Sequence, residues 1–93
     1  MHQRVITPRA KRSLKTLPLT VRVALVEATQ ALERNPYASS KLTGSLNFLY
    51  SFHCKIRNVE YRVCYTIDDV KKLIIIHFAH TRENFYEKVR RFF

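Results

Sequence analysis

Residues 50–86 read YSFHCKIRNVEYRVCYTIDDVKKLIIIHFAHTRENFY, and their period decides the fold. Tyr50, Phe52, Cys54 and Ile56 alternate with Ser51, His53, Lys55 and Arg57. Tyr61, Val63, Tyr65 and Ile67 then alternate with Arg62, Cys64 and Thr66. A period of two places successive side chains on opposite faces of a strand. Asp68-Asp69-Val70-Lys71-Lys72 reads as a turn, and the apolar run Leu73 to Ala79 as the strand buried on both faces. Matching the apolar faces pairs Tyr50 with Ile67, Phe52 with Tyr65, Cys54 with Val63 and Ile56 with Tyr61. That register sets Lys55 opposite Arg62 and His53 opposite Cys64, with a loop longer than two residues because Val59 disfavours positive φ. Cys54 and Cys64 then point to opposite faces and do not pair.

Upstream the period is helical. Arg4-Val5-Ile6 is a short strand. Thr7 is a good N-cap, and Pro8 fits the first helical position, where its missing N–H costs nothing. Ala10, Leu14 and Leu17 form one apolar face, and Pro18 ends the helix. A second helix runs from about Leu19 to Arg34 on a stripe of Val21, Leu25, Ala28 and Leu32, and Asn35-Pro36 stops it. So short a break predicts an antiparallel helical hairpin. Arg82 to Phe92 reads as a terminal helix that carries Arg82 and Tyr86 on one face. The expected architecture is α+β: an N-terminal strand, a helical hairpin packed on a small, mainly antiparallel sheet, and a short C-terminal helix.

A chain of 93 residues with 46% hydrophobic residues suits one domain, spanning residues 1–93. The single glycine, Gly44, and the lack of a linker tract agree with that. The net charge of +10 points to nucleic acid, an anionic surface or an acidic protein. No apolar run follows Met1-His2-Gln3-Arg4, and none is long enough to span a bilayer, so a cytoplasmic protein without a membrane partner is expected. Two cysteines make neither a disulfide framework nor a zinc site, and His77, read as a core-edge histidine, faces away from His80.

The segment from Tyr50 to Tyr86 gathers imidazole, guanidinium, ammonium and phenol groups with few carboxylates. RNA cleavage without a metal needs a base for the 2′-hydroxyl, an acid for the 5′-oxygen and cations for the phosphorane. Histidine suits the first two roles and arginine the third. His80, where the buried strand ends, and His53, Lys55 and Arg57 on one polar strand face with Arg62 are the candidates. Each has an ordinary reading too. His80 can be a capping histidine, the strand face a solvated one, and Tyr86 a residue that packs helix on sheet rather than stacking on a base.

Lys41-Leu42-Thr43-Gly44, Leu49-Tyr50-Ser51, Glu60-Tyr61-Arg62-Val63-Cys64-Tyr65, and His80-Thr81-Arg82 with Tyr86 resemble the RelE/ParE superfamily of bacterial and archaeal toxins. The resemblance covers nearly the whole chain. It implies either a RelE-like ribosome-dependent endoribonuclease that cuts mRNA in the A site by 2′-hydroxyl attack, or a ParE-like inhibitor of DNA gyrase without nuclease residues. A third reading is a catalytically inactive binding module of the same fold. Lys55, Arg62 and Tyr86 match the strand lysine, the motif arginine and the terminal tyrosine of the RelE branch. His53 stands where some members carry lysine, and His80 where some carry arginine. Retention of the set favours the ribonuclease. The resemblance implies catalytic roles for His80, Arg62, Tyr86, Lys55 and His53, and substrate binding by Arg82 and Arg57. No cofactor or metal is implied. The implied partners are an acidic antitoxin, in a hetero-oligomeric toxin-antitoxin complex, and the ribosome with its mRNA.

Overall fold

The computed structural model describes residues 1–83 and 85–93. Asn84, part of the stretch read above as a terminal helix, lies outside the described residues. Strand β1 (Gln3–Ile6) leads into α1 (Pro8–Lys15) and α2 (Leu19–Ala28). The strands β2 (Ser40–Lys41), β3 (Tyr50–Ile56), β4 (Val59–Asp68) and β5 (Leu73–Thr81) follow, then α3 (Phe85–Arg90). The five-stranded sheet has the order β1-β5-β4-β3-β2, with β1 parallel to β5 and every other pair antiparallel. This is the expected α+β architecture with one strand added. β2 is only two residues long, too short to show a period.

The first two helices start where the sequence places them. Thr7 Oγ1 accepts the Ala10 N–H at 3.1 Å, a cap that stabilises a helix by about 1 kcal/mol. Ala10, Leu14 and Leu17 are buried, as are Val21, Leu25 and Leu32. With Tyr61, Val63, Tyr65, Ile74, Ile76 and Ala79 they make the larger core, on one face of the sheet. The second helix is α-helical only to Ala28 and continues as a 3₁₀ turn over Thr29–Glu33. The buried Thr29 hydroxyl donates to the Val26 carbonyl at 2.7 Å and accepts from Arg4 at 3.1 Å. A side chain that serves the backbone in this way competes with the regular ladder.

The opposite face is built differently. Cys64 and Phe78 are covered by Leu46, Leu49, Phe85 and Val89, from α3 and the segment before β3. This second core covers only part of the face and leaves the rest open. Cys54 packs against the larger core and Cys64 in the smaller, so the two free thiols lie on opposite faces as expected. Burial pushes the Cys64 thiol up to about 12.

Four sequence expectations change. Tyr50 pairs with Tyr65, Phe52 with Val63, Cys54 with Tyr61 and Ile56 with Val59, a slip of two residues from the expected register. The faces survive, because two residues is one full period, but the partners do not. The cause is a tight turn: Arg57 and Asn58 both take positive φ, 52° and 67°, the geometry of a two-residue type I′ hairpin. Val59 escapes the positive φ by beginning β4.

The second change is a β-bulge, a register shift between Cys64 and Tyr65. Ile76 sits in the larger core and Phe78 in the smaller, so His77 is the extra residue. It turns to the α3 side, where Nε2 lies 2.8 Å from Thr66 Oγ1 and the ring meets Phe93 edge-on. Strict alternation does not separate His77 from His80.

Third, β5 is not buried on both faces throughout: Leu73 and Ile75 are only half-buried, and the central strand of the sheet is β4. Fourth, α3 starts at Phe85, not Arg82. Arg82 continues the strand pairing, its N–H donating to the Glu60 carbonyl at 2.9 Å, so Arg82 and Tyr86 do not share a helix face.

Candidate active site

The open part of the sheet presents side chains in cross-strand rows. The inner row, Ser51, Cys64 and Phe78, lies under the second core. Next outward, β3, β4 and β5 bring His53, Arg62 and His80 into line, each directly opposite its neighbour. Beyond them Lys55 faces Glu60, and Glu60 faces Arg82. Neighbouring strands are about 4.8 Å apart, so Arg62 has a histidine one strand to either side of it in the sheet.

The outer row contains the carboxylate that the sequence reading kept off this face. Glu60 accepts from Arg82 at 2.9 Å, and both side chains are more than half exposed. Lys55 therefore faces an acid, not Arg62 as expected, and the two cations are not in direct opposition. Arg62 is half-buried and, among the described residues, has no ion pair. A depression of about 200 Å³ lies among His53, Cys54, Lys55, Glu60, Tyr61 and Arg62. A groove of about 530 Å³ continues along Asn58, Val59, Glu60, Thr81, Arg82 and Glu83.

His80 is held by several contacts. Its ring stacks on Phe78 with centroids 6.0 Å apart, and Nδ1 lies 3.1 Å from Thr81 Oγ1. The Lys88 ammonium, from α3, is 3.4 Å from both ring nitrogens. Burial, then the Lys88 charge, hold His80 below the ordinary histidine value. Burial and the Arg62 guanidinium lower His53 in the same way, against an opposing pull from Glu60. Both rings therefore favour the neutral form near neutral pH.

The remaining candidates lie around this row rather than in it. Tyr86 on α3 donates its hydroxyl to the Thr43 carbonyl at 3.0 Å, and the Arg90 guanidinium lies 5.7 Å from its ring. Among the described residues no hydrogen bond joins it to the row. Gly44, next to Thr43, has a φ of +69°, the left-handed region that glycine enters without strain, and a Cβ there would stand 3.7 Å from the Tyr86 hydroxyl. Arg57 sits in the hairpin turn, off the strand face. No three His, Cys, Asp or Glu side chains converge as a metal would require among the described residues. No described helix is long and apolar enough to cross a membrane.

Two neighbours of the row were not singled out in the sequence. Glu60 lies opposite Lys55 only once the two-residue turn is known. Lys88 carried a weak signal: Phe85 and Val89, four apart, seat α3 on the sheet, and Lys88 borders that face.

The fold is that of solved RelE toxins. The isolated Escherichia coli RelE toxin superposes with a TM-score of 0.70 at 24% identity over 100% of both chains. The RelBE2 toxin-antitoxin complex of Mycobacterium tuberculosis contains a chain matched with a TM-score of 0.74 at 29% identity, over 87% of this chain and 98% of that one. The archaeal RelE-RelB complex of Pyrococcus horikoshii OT3 gives 0.60 at 24% identity, over 88% and 94%. Among curated proteins no sequence matches. The model of the ParE-like toxin of type II bacterial toxin-antitoxin systems matches residues 5–90, and the chain belongs to that family.

Proposed function

We propose that this toxin is an endoribonuclease that cleaves mRNA in the ribosomal A site, with acid, base and cation all supplied by side chains. The observation that carries the reading is the row His53, Arg62 and His80. In-line displacement at phosphorus puts the attacking and leaving oxygens on opposite sides, so base and acid must approach from opposite sides of the charge they flank. Two imidazoles one strand to either side of a guanidinium have that layout.

His80 is the base. Its neutral ring takes the 2′-hydroxyl proton, the 2′-oxygen bonds to phosphorus, and the bond from phosphorus to the 5′-oxygen breaks. The 5′-oxygen receives a proton from the β3 side, from the Lys55 ammonium or from the protonated fraction of His53. The products are a 2′,3′-cyclic phosphate and a 5′-hydroxyl end. Arg62 stabilises the phosphorane through its two-pronged donor set. Arg82 and Arg57 add backbone contacts, and Tyr86 orients or stacks a nucleotide. The depression at the row is small, about 200 Å³, so the alignment of a long RNA falls to another body, the ribosome.

The partner that restrains the toxin is an acidic antitoxin in a hetero-oligomer. The net charge of +10 suits such a partner, and the Mycobacterium and Pyrococcus relatives are described as toxin-antitoxin and RelE-RelB complexes. The cytoplasm, where the ribosome lies, is the compartment this reading requires.

The ParE-like description of the matching family favours a second reading, a gyrase-directed toxin that needs no acid–base row. Parallel assays separate the two. The ribonuclease reading predicts cut mRNA on programmed ribosomes and unimpaired supercoiling by gyrase. Inhibited supercoiling with intact mRNA supports the second.

A further inference from the structure

Lys88 lies one helical turn beyond Phe85 and next to Val89, the residues that seat α3 on the sheet. Its stem is half-buried, and its ammonium ends 3.4 Å from both Nδ1 and Nε2 of His80. A surface lysine usually reaches water or a carboxylate. Lys88 makes no ion pair among the described residues. An ammonium at equal distance from both ring nitrogens sits over the ring and on neither lone pair, so it leaves the basic nitrogen free while its charge repels an imidazolium.

Other groups surround the ring. Arg62 faces His80 from β4, the Phe78 ring stacks against it, and Thr81 meets Nδ1. The nearest carboxylate on this face, Glu60, is one row away and engaged by Arg82. His80 thus has the Lys88 ammonium over its ring and, among the described residues, no carboxylate paired with it.

We propose that Lys88 is a positioning residue for the reaction, docking against His80 from α3 so that the imidazole stays neutral, oriented and ready to accept the 2′-hydroxyl proton. This rests on the ribonuclease reading and goes beyond it by giving the last helix a chemical task. The lowered proton affinity of His80, due to burial and then to Lys88, agrees with it.

The test uses the free protein and the programmed ribosome together. Histidine resonances of wild type, Lys88→Met and Lys88→Arg are titrated by NMR, and single-turnover cleavage is followed from pH 5.5 to 8.5. The methionine variant keeps the stem and removes the charge. Its His80 midpoint is expected to rise and the acidic limb of the cleavage profile to rise with it, so cleavage drops roughly threefold more at pH 6 than at pH 8. Lys88→Arg restores both. An unmoved His80 midpoint in Lys88→Met overturns the proposal, and so does a moved midpoint with an unmoved acidic limb. Absence of cleavage by the wild type overturns the ribonuclease reading and this role with it. That failure is separately visible, because the midpoint is read without RNA.

Discussion

Arg62 on β4 stands directly opposite His80 on β5. Pairing across antiparallel strands sets the two residues side by side, and among the described residues no hydrogen bond joins their side chains, so the Arg62 guanidinium keeps its donors for a ligand. His53 completes the line from β3. The account of catalysis rests on this line, and four predictions follow from its surroundings.

Arg62→Met removes the central cation while keeping an unbranched stem. Arg62 is half-buried and without an ion pair among the described residues, so its charge does little for the fold. Cleavage in a single turnover is expected to fall about 10²–10³-fold, the range for losing one transition-state donor. The melting temperature should move by no more than about 3 °C. A large drop in melting temperature with normal cleavage would assign Arg62 to the scaffold instead.

Stability should fall as the solution is acidified from pH 7.5 to 5.5. His53, His77 and His80 are all lowered in the folded state, with burial the first cause in each. The unfolded chain titrates near the ordinary histidine value of about 6.5. Below that pH it binds protons that the folded chain refuses, so stability present above about pH 6.5 is lost as pH falls toward the folded values. Chemical denaturation at a series of pH values checks this. His77→Gln, away from the row, should flatten the dependence without touching cleavage.

Tyr86 carries two separable properties. Its hydroxyl bonds to Thr43 on a half-exposed surface, and its ring is the larger contribution to any stacked nucleotide. Tyr86→Phe should retain cleavage within about threefold. Tyr86→Ala should lose about tenfold or more, since stacking on an aromatic ring is worth about 1–3 kcal/mol. Equal losses in both variants would put the hydroxyl, not the ring, in the reaction.

Arg57→Asn isolates the turn from the ligand. An arginine at a φ of 52° is strained, and asparagine enters that region more readily. The fold should gain about 0.5 kcal/mol. RNA affinity should weaken and its salt dependence shrink by close to one counterion, as expected for the loss of one phosphate contact. Unchanged salt dependence would remove Arg57 from the binding surface.

Much of this fold is legible in local patterns. Thr7-Pro8 starts α1, Pro18 lies between α1 and α2, Asp68 caps its own turn by accepting the Val70 and Lys71 N–H groups, and period two marks β3 and β4. The faces of β3 and β4 follow from that period, which makes His53, Lys55 and Arg62 candidates, whereas His80 is one because the apolar run of β5 ends there. Which of them touch is a different matter. A register slip of two preserves every face and changes every partner, and it turned on whether Arg57-Asn58 or a longer loop closed the hairpin. The bulge at Cys64/Tyr65 is set by the fit of two cores on opposite faces, so nothing within β5 announced that His77 would turn toward α3. Lys88 reached His80 through the docking of α3, a tertiary contact that periodicity only brushes.

Cleavage of a defined mRNA by purified toxin, with and without programmed ribosomes and beside a His80→Ala variant, tests the central claim most directly. The account predicts cuts that appear only with ribosomes, leave 2′,3′-cyclic phosphate ends, and fall by about 10²–10⁴-fold in the variant. Cuts of equal strength in the variant would contradict the role of His80. Intact mRNA with folded, toxic wild-type protein would contradict the ribonuclease itself.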